Sequence, residues 1–317
     1  MIYRSTERVD VEVSAIGLGG HEYLPDGRSR GFNENAKLAV TPGYLYEGFG
    51  QEKRKAVLAA AYEHGINLLD ATIDSEKEAL GRNLREMPPP YEVYVQTRPE
   101  GMVYSYDPHN ARLAQYELLQ AEVLRGLDLL GRTRLDFLNL GFLQGALDHD
   151  PDYLTKVADG LVRLKGEGLI RYACADTFSG EATYLRQIEQ DCFDGIFLNL
   201  NFADDGAVRK VLPAAAERGM AVFAREAFMK GALFRMGEEA GIVDRNALAR
   251  MALKWVLSQE QVTAVMVGVD TPAQLASNVS VLDASEMTAE ELSILERVRE
   301  TTVYRDYAAR KREQFSG

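Results

Sequence analysis

The feature that most constrains this chain is a regular alternation of short apolar runs with stretches of helical spacing. The runs fall at 13–20, 66–69, 91–98, 135–142, 169–176, 193–202, 220–228 and 262–269. Each is followed, before the next, by a segment whose apolar residues recur every three or four positions. This order, with no internal linker, predicts one parallel sheet with helices outside it, closed as a single (β/α)8 barrel whose site lies at the C-terminal ends of the strands. A doubly wound sheet would want a Gly-rich phosphate loop after an early strand, and GLGG at 17–20 is too short for that fingerprint. Residues 1–12 alternate weakly and are expected to form a β-hairpin closing the barrel floor. The first connection, 21–50, is dense in Gly, Pro, Asn and Tyr, and is expected to lie as a long irregular loop over the barrel mouth. The tail, 304–317, is polar and is expected to be mobile.

A length of 317 residues suits one such barrel spanning the whole chain. Cys174 and Cys192 have no metal-ligand spacing, and two cysteines in so long a chain are no disulfide framework. The net charge of -12 argues against a non-specific nucleic-acid binder. The opening MIYRSTERVDVEV lacks the charged and apolar regions of a signal peptide, and no apolar run approaches membrane-spanning length. The expectation is a cytoplasmic protein with a small-molecule substrate, no nucleic-acid or membrane partner, and possible homo-oligomerisation.

Within the alternation, GINLLDATIDSEKEALG at 65–81 reads as helix end, buried strand, loop and next helix, with Asp70 at the strand's C-terminal end. This stretch, VSAIGLGG at 13–20, and WVLSQEQVTAVMVGVDTPAQLASNVSVLD near the end of the chain resemble the aldo-keto reductases. That family folds as a TIM barrel and reduces carbonyls with a nicotinamide cofactor. The resemblance runs over nearly the whole chain. It implies four catalytic positions: an aspartate at Asp70, a proton-donating tyrosine near Asp74 or Ser75, a lysine at Arg98 and a histidine at Gly141. Only the aspartate is unchanged. The resemblance also places the groups that grip nicotinamide at Asp176 and Thr177, a glutamine at Phe197, the stacking ring at Leu200, and small or aromatic residues at Arg225 and Glu226. Asp270 stands where a basic or hydroxyl residue would meet the cofactor's 2′-phosphate, and a carboxylate repels phosphate. Gly231, Gly268, Gln274 and Asn278 match the family's cofactor-binding positions. NADP(H) is the cofactor if the family function is retained. The substitutions predict weak or absent binding, and no cofactor is assigned.

The altered positions are polar. Asp70, Arg98, Asn139, Asp176, Asn199 or Asn201, Arg225 and Glu226 fall at strand ends, and His21 and Glu22 open the first loop. Strand side chains alternate, so about half of these are expected to face inward. The residues expected to carry chemistry are Asp70, Arg98, Asp176, Glu226, Arg225 and His21. Asp176 or Glu226 would act as base, Arg98 or Arg225 would steady an oxyanion, and Asp70 would pair with Arg98. His21, Glu22, Asp176 and Glu226 form no tight ligand motif, so no metal is expected. His64, His109 and His149 are read as structural or solvated. The foremost reading is a non-redox enzyme of lyase or isomerase type, acting on a small polar carbonyl compound that is anionic or sugar-like. One alternative is a reductase whose proton donor has moved to a tyrosine among Tyr23, Tyr44, Tyr46, Tyr104 and Tyr106. The other is a non-catalytic binding barrel.

Overall fold

The computed structural model describes residues 1–25, 27–102, 107–284 and 286–316. An antiparallel pair, β1 (Tyr3–Arg4) and β2 (Val13–Ser14), precedes eight parallel strands. These are β3 (Ile16–Leu18), β4 (Leu68–Ala71), β5 (Tyr94–Thr97), β6 (Leu135–Gly141), β7 (Ile170–Asp176), β8 (Gly195–Asn199), β9 (Ala221–Arg225) and β10 (Ala264–Val267). The strands pair in chain order, and β10 closes on β3, so the barrel is complete.

Alternation along the strands divides the core in two. Leu68, Tyr94, Phe137, Cys174, Phe197, Phe223 and Met266 fill the barrel interior, and Val9, Val11 and Val13 from the hairpin segment seal its floor. The opposite parity, with Leu69, Val95, Leu138, Ala175, Leu198 and Val222, packs outward against the helices.

The expected helices form. They include α2 (Glu52–Glu63), α3 (Asp74–Glu86), α4 (Tyr116–Leu130), α6 (Tyr153–Gly166), α7 (Glu181–Glu189), α8 (Val211–Glu217), α10 (Arg245–Leu257), α11 (Pro272–Val279) and α12 (Ala289–Arg299), and a short α5 (Gln144–His149) precedes α6. Two readings are corrected. The first connection is not structureless: it holds a helical segment, α1 (Phe32–Ala39), kinked at Asn35, and Phe49, Ile73 and Ala79 make a small core beneath it. The loop is tied to the start of α3, where the Gly43 amide donates to Asp74 Oδ2 (2.8 Å) and the Tyr46 amide to Ser75 Oγ (2.9 Å). The C-terminal tail is not loose either. Residues Thr302–Ser316 form helix α13, which buries Tyr307 and Ala308. Charged residues on its outer face give the segment a polar composition that hides its apolar contacts. No helix among the described residues is long and apolar enough to cross a membrane.

Candidate active site at the barrel mouth

Interior parity carries upward from the apolar layer. Two residues beyond Leu68 comes Asp70; beyond Tyr94 come Gln96 and then Arg98. Beyond Phe137 comes Asn139, beyond Cys174 Asp176, beyond Phe197 Asn199, and beyond Phe223 Arg225. All of them therefore share one parity, where only half were expected to face inward. Glu226 has left this pattern: its φ is +60°, and its carboxylate turns to Lys230 Nζ (3.1 Å) and Lys311 Nζ (3.9 Å).

At the ends of β7–β9 the charges are mutually satisfied. Arg225 clasps both oxygens of Asp176, with Nη2 2.6 Å from Oδ1 and Nη1 bonded to Oδ2, and donates from Nε to Asn199 Oδ1 (2.8 Å). The guanidinium also lies 4.9 Å from the Phe178 ring centre. Burial alone would lower its pKa, but Asp176 outweighs burial and raises it. Helix α13 reaches this side too: Lys311 binds Asp204 Oδ2 at 3.0 Å, and Gly180 and Gly206 lie against Phe315.

The ends of β3–β5 differ. Asp70 accepts only long contacts at Oδ2, from the Gly20 amide (3.4 Å) and Thr72 Oγ1 (3.5 Å), while its Oδ1 is buried without a partner. Burial, reinforced by Glu76, raises its pKa. His21 Nδ1 lies 2.7 Å from Glu76 Oε1, and Glu76 Oε2 accepts from the amides of Thr72 (2.8 Å) and Ile73 (3.3 Å). Burial disfavours the imidazolium, but the Glu76 carboxylate wins and raises the His21 pKa. Burial likewise opposes the Glu76 charge, and His21 lowers that pKa in return. Arg98 has a buried Nε with no partner, and no ion pair or hydrogen bond joins it to Asp70 among the described residues. The expected Asp70–Arg98 contact is thus replaced by attraction at longer range. Arg54 of α2 donates from Nη2 to the Gly19 carbonyl (2.7 Å), and its Nη1 is buried and unpartnered. Behind Arg98, Glu100 is fully buried with both oxygens unpartnered and Lys77 Nζ 3.9 Å away; burial pushes its pKa up to about 7.

Glu76 and Arg54 were missed in the sequence. Glu76 had a signal: it is the third residue of a helix that follows a strand-end loop, where a glutamate caps back onto loop amides. Arg54 has none, being one basic residue of several at the start of α2. Of the remaining histidines, His109 and His149 are exposed and their rings stack 4.2 Å apart. His64 is the C-cap of α2. No group of three or more His, Cys, Asp or Glu among the described residues could hold a metal.

Phe197 is stacked on Phe223 in the interior (4.7 Å), and Leu200 packs outward among the helices. Arg225 is engaged by Asp176 at the nicotinamide position. A side chain at Gly268 would meet Tyr23 Oη at 1.8 Å, so the tyrosine lies directly against that glycine. Asp270 pairs with Lys53 (2.7 Å), and Gln274 Oε1 is used by the amides of Asp270 (2.7 Å) and Thr271 (3.2 Å) in the cap of α11. Gly231, φ +87°, caps α9 (Ala232–Glu239), and Asn278 is buried on α11. These residues do not fit a bound nicotinamide dinucleotide in this conformation. Of the described loop tyrosines, Tyr46 donates to the Asn35 carbonyl (2.9 Å), Tyr44 packs edge-on against Tyr46 (4.9 Å), and Tyr23 lies against Gly268, its pKa pushed up to about 12 by burial. Tyr104 and Tyr106 lie outside the described residues.

No curated protein sequence matches the chain. Among solved structures it resembles aldo-keto reductase AKR11C1 from Bacillus halodurans in its holo form, with TM-score 0.69 and 18% identity, covering 97% of this chain and 99% of that one. It also resembles the glycerol dehydrogenase AKR11B4 from Gluconobacter oxydans, with TM-score 0.66 and 19% identity over 95% and 96% of the two chains. At these identities the likeness establishes the fold. The sequence profile of the aldo/keto reductase family matches residues 39–300, and on that match the chain belongs to the aldo/keto reductase family.

Proposed function

We propose that this family member is an acid–base enzyme, acting without a nicotinamide on a small hydroxycarbonyl compound. The observation that carries the reading is the contrast within the mouth. Unpartnered polar atoms gather at Asp70, Arg98 and Arg54, beside the His21–Glu76 pair, while Asp176, Arg225 and Glu226 are held in ion pairs. A base committed to a bidentate arginine is a poor base, so the roles first given to Asp176 and Glu226 pass to groups still free. Asp70 Oδ1 would take a proton from the carbon beside the carbonyl. His21, its pKa raised by Glu76 against the opposing effect of burial, would deliver one to oxygen, and Arg98 would steady the charge between the two events. The proton moves from carbon to oxygen and no electrons are exchanged, so the product is an isomer, or an alkene plus water where a hydroxyl leaves.

The test is proton NMR of hydroxycarbonyl compounds in D2O, with wild type, Asp70→Asn and His21→Gln, with and without NADPH. Deuterium entering next to the carbonyl without NADPH, and falling at least 100-fold in Asp70→Asn, is the expected result. Turnover that requires NADPH would overturn it in favour of a second reading. That reading is an NAD(P)H-dependent reductase, favoured by the family match, in which the raised pKa of His21 supplies the proton. Tyr23 suits that task poorly, because a phenol made less acidic gives up its proton less readily.

A further inference from the structure

The two arginines beside Asp70 differ from the other partly buried arginines near the mouth. Arg30 is bonded to the Gly48 carbonyl (2.7 Å), Arg125 lies 2.9 Å from Asp74, and Arg225 holds Asp176. Arg54 has no carboxylate within 4.0 Å among the described residues, although Glu22, Glu76 and Asp70 are all near enough to act on it through space. The carboxylate that acts on Arg54 most strongly, Glu22, is bonded elsewhere. Glu22 accepts from the Gly50 amide at 2.5 Å and faces Arg30 at 4.0 Å. Arg54 is instead fixed by one bond to the Gly19 carbonyl, which leaves Nη1 buried and empty-handed. Arg98 repeats the pattern across Asp70, with an unpartnered buried Nε. The strand order β3-β4-β5 sets the Gly19 turn, Asp70 and Arg98 side by side.

A buried guanidinium is tolerated when a paired anion offsets its desolvation, and its planar fork matches a carboxylate in two-point contact. We infer that Arg54, with Arg98 opposite, is the anchor for a carboxylate on the substrate, which makes the substrate class the hydroxy- or keto-acids. The inference rests on the acid–base reading for its substrate and deepens it. With the carboxylate on the Arg54 side, the neighbouring carbon is brought to Asp70 and its oxygen to His21. A phosphate would satisfy the same two arginines, and a cofactor pyrophosphate is the other source of such an anion, so both are included in the test.

Binding is measured by isothermal titration, which needs no turnover, on the full chain. The probes are glycerate, gluconate and tartronate, each against its methyl ester, with inorganic pyrophosphate and NADP+ in parallel. At least one acid is expected to bind ten-fold or more tightly than its ester. Arg54→Met is expected to erase that ratio, and Arg54→Lys to restore part of it, while both melt within a few degrees of wild type. The inference is overturned if no acid outbinds its ester, or if Arg54→Met keeps the preference. It is also overturned if the substitution weakens only pyrophosphate and NADP+. Deuterium exchange judges the acid–base reading separately. Exchange without a carboxylate preference removes the anchor alone, and a preference without exchange removes the chemistry alone.

Discussion

The two halves of the barrel mouth carry similar residues and reach opposite states. At β7–β9, Asp176, Arg225 and Asn199 bond to one another, Asp204 and Glu226 share Lys311 of α13, and the unpartnered buried atoms beside them, Asn139 Oδ1 and Gln187 Oε1, are neutral amide oxygens. At β3–β5, Asp70, Arg98, Arg54 and Glu100 each keep a buried polar atom without a partner. A satisfied network rigidifies a fold, whereas an unsatisfied one costs stability, so its persistence asks for a ligand. Partnership therefore separates scaffold from candidate site better than charge does. Charge alone does not separate Asp70 from Asp176, or Arg98 from Arg225.

The largest effect expected from this contrast lies on the satisfied side. Arg225→Met leaves the buried Asp176 carboxylate without its two-point partner. Breaking such a pair should cost about 3–5 kcal/mol, read as a lower midpoint in urea unfolding at pH 7. A loss under 1 kcal/mol would mean that Asn139, which donates to Asp176 Oδ2 at 3.3 Å, or water supports the carboxylate, and the half called scaffold would be open to ligands after all.

On the other side the sign reverses. Glu100 holds its proton to about pH 7 in the folded chain, against the usual 4.5. Between these values the folded chain binds more protons than the unfolded one, so this group's contribution to stability is whole below about pH 4.5 and is lost as pH rises towards and past 7. Glu100→Gln should thus stabilise the protein at pH 8 by about 2–3 kcal/mol and do little at pH 4.5. Paired unfolding curves at the two pH values decide this; equal effects at both would show that Lys77 already neutralises the ionised carboxylate.

How much of this was legible in the sequence follows from range. The barrel was, because alternation along a strand and helical spacing are local patterns that repeat through the chain. So was the hairpin at the floor. The α13 helix was not: its packing depends on glycines at 180 and 206, far away in the chain, which leave room for Phe315. The site was half legible. Position at strand ends marked Asp70, Arg98, Asp176 and Arg225, but parity was read as turning only half of such residues inward, whereas all four share the interior parity; and the choice of partner is made across the barrel, where Arg225 takes Asp176 and leaves Asp70 and Arg98 apart. Glu76 is legible as the third residue of α3, a carboxylate turned back to the amides of Thr72 and Ile73, but its contact with His21 comes from the loop after β3 and has no local signal.

A smaller effect sharpens the contrast at its centre. Asp70→Asn keeps the shape of a side chain whose charge burial already disfavours. Stability at pH 7 should therefore stay within about 1 kcal/mol of wild type, on the more stable side, since the substitution breaks no close partner. The same substitution made at Asp176 should be clearly destabilising. If Asp70→Asn also unfolds the chain readily, Asp70 belongs to the scaffold and the division of the mouth fails.

The smallest effect concerns the seam where the two halves meet. Lys53 of α2 and Asp270, just before α11, lie 2.7 Å apart across it, close to where Tyr23 touches Gly268. The lysine is 65% exposed and the aspartate 31%. A pair so open to solvent contributes about 0.2–1 kcal/mol at low salt, and less once the screening length falls to about 3 Å at 1 M. Lys53→Met should accordingly lower stability by no more than that in dilute buffer and by almost nothing in 1 M NaCl, as read from thermal unfolding at both salts. This outcome leaves Tyr23 packing, and not the ion pair, as what holds the seam shut. A loss above 1 kcal/mol that persists in high salt would make Asp270 a partly buried anion that depends on Lys53. The repulsion expected between Asp270 and a phosphate would then be cancelled by its own lysine, and the case against a cofactor on this side would rest on Tyr23 alone.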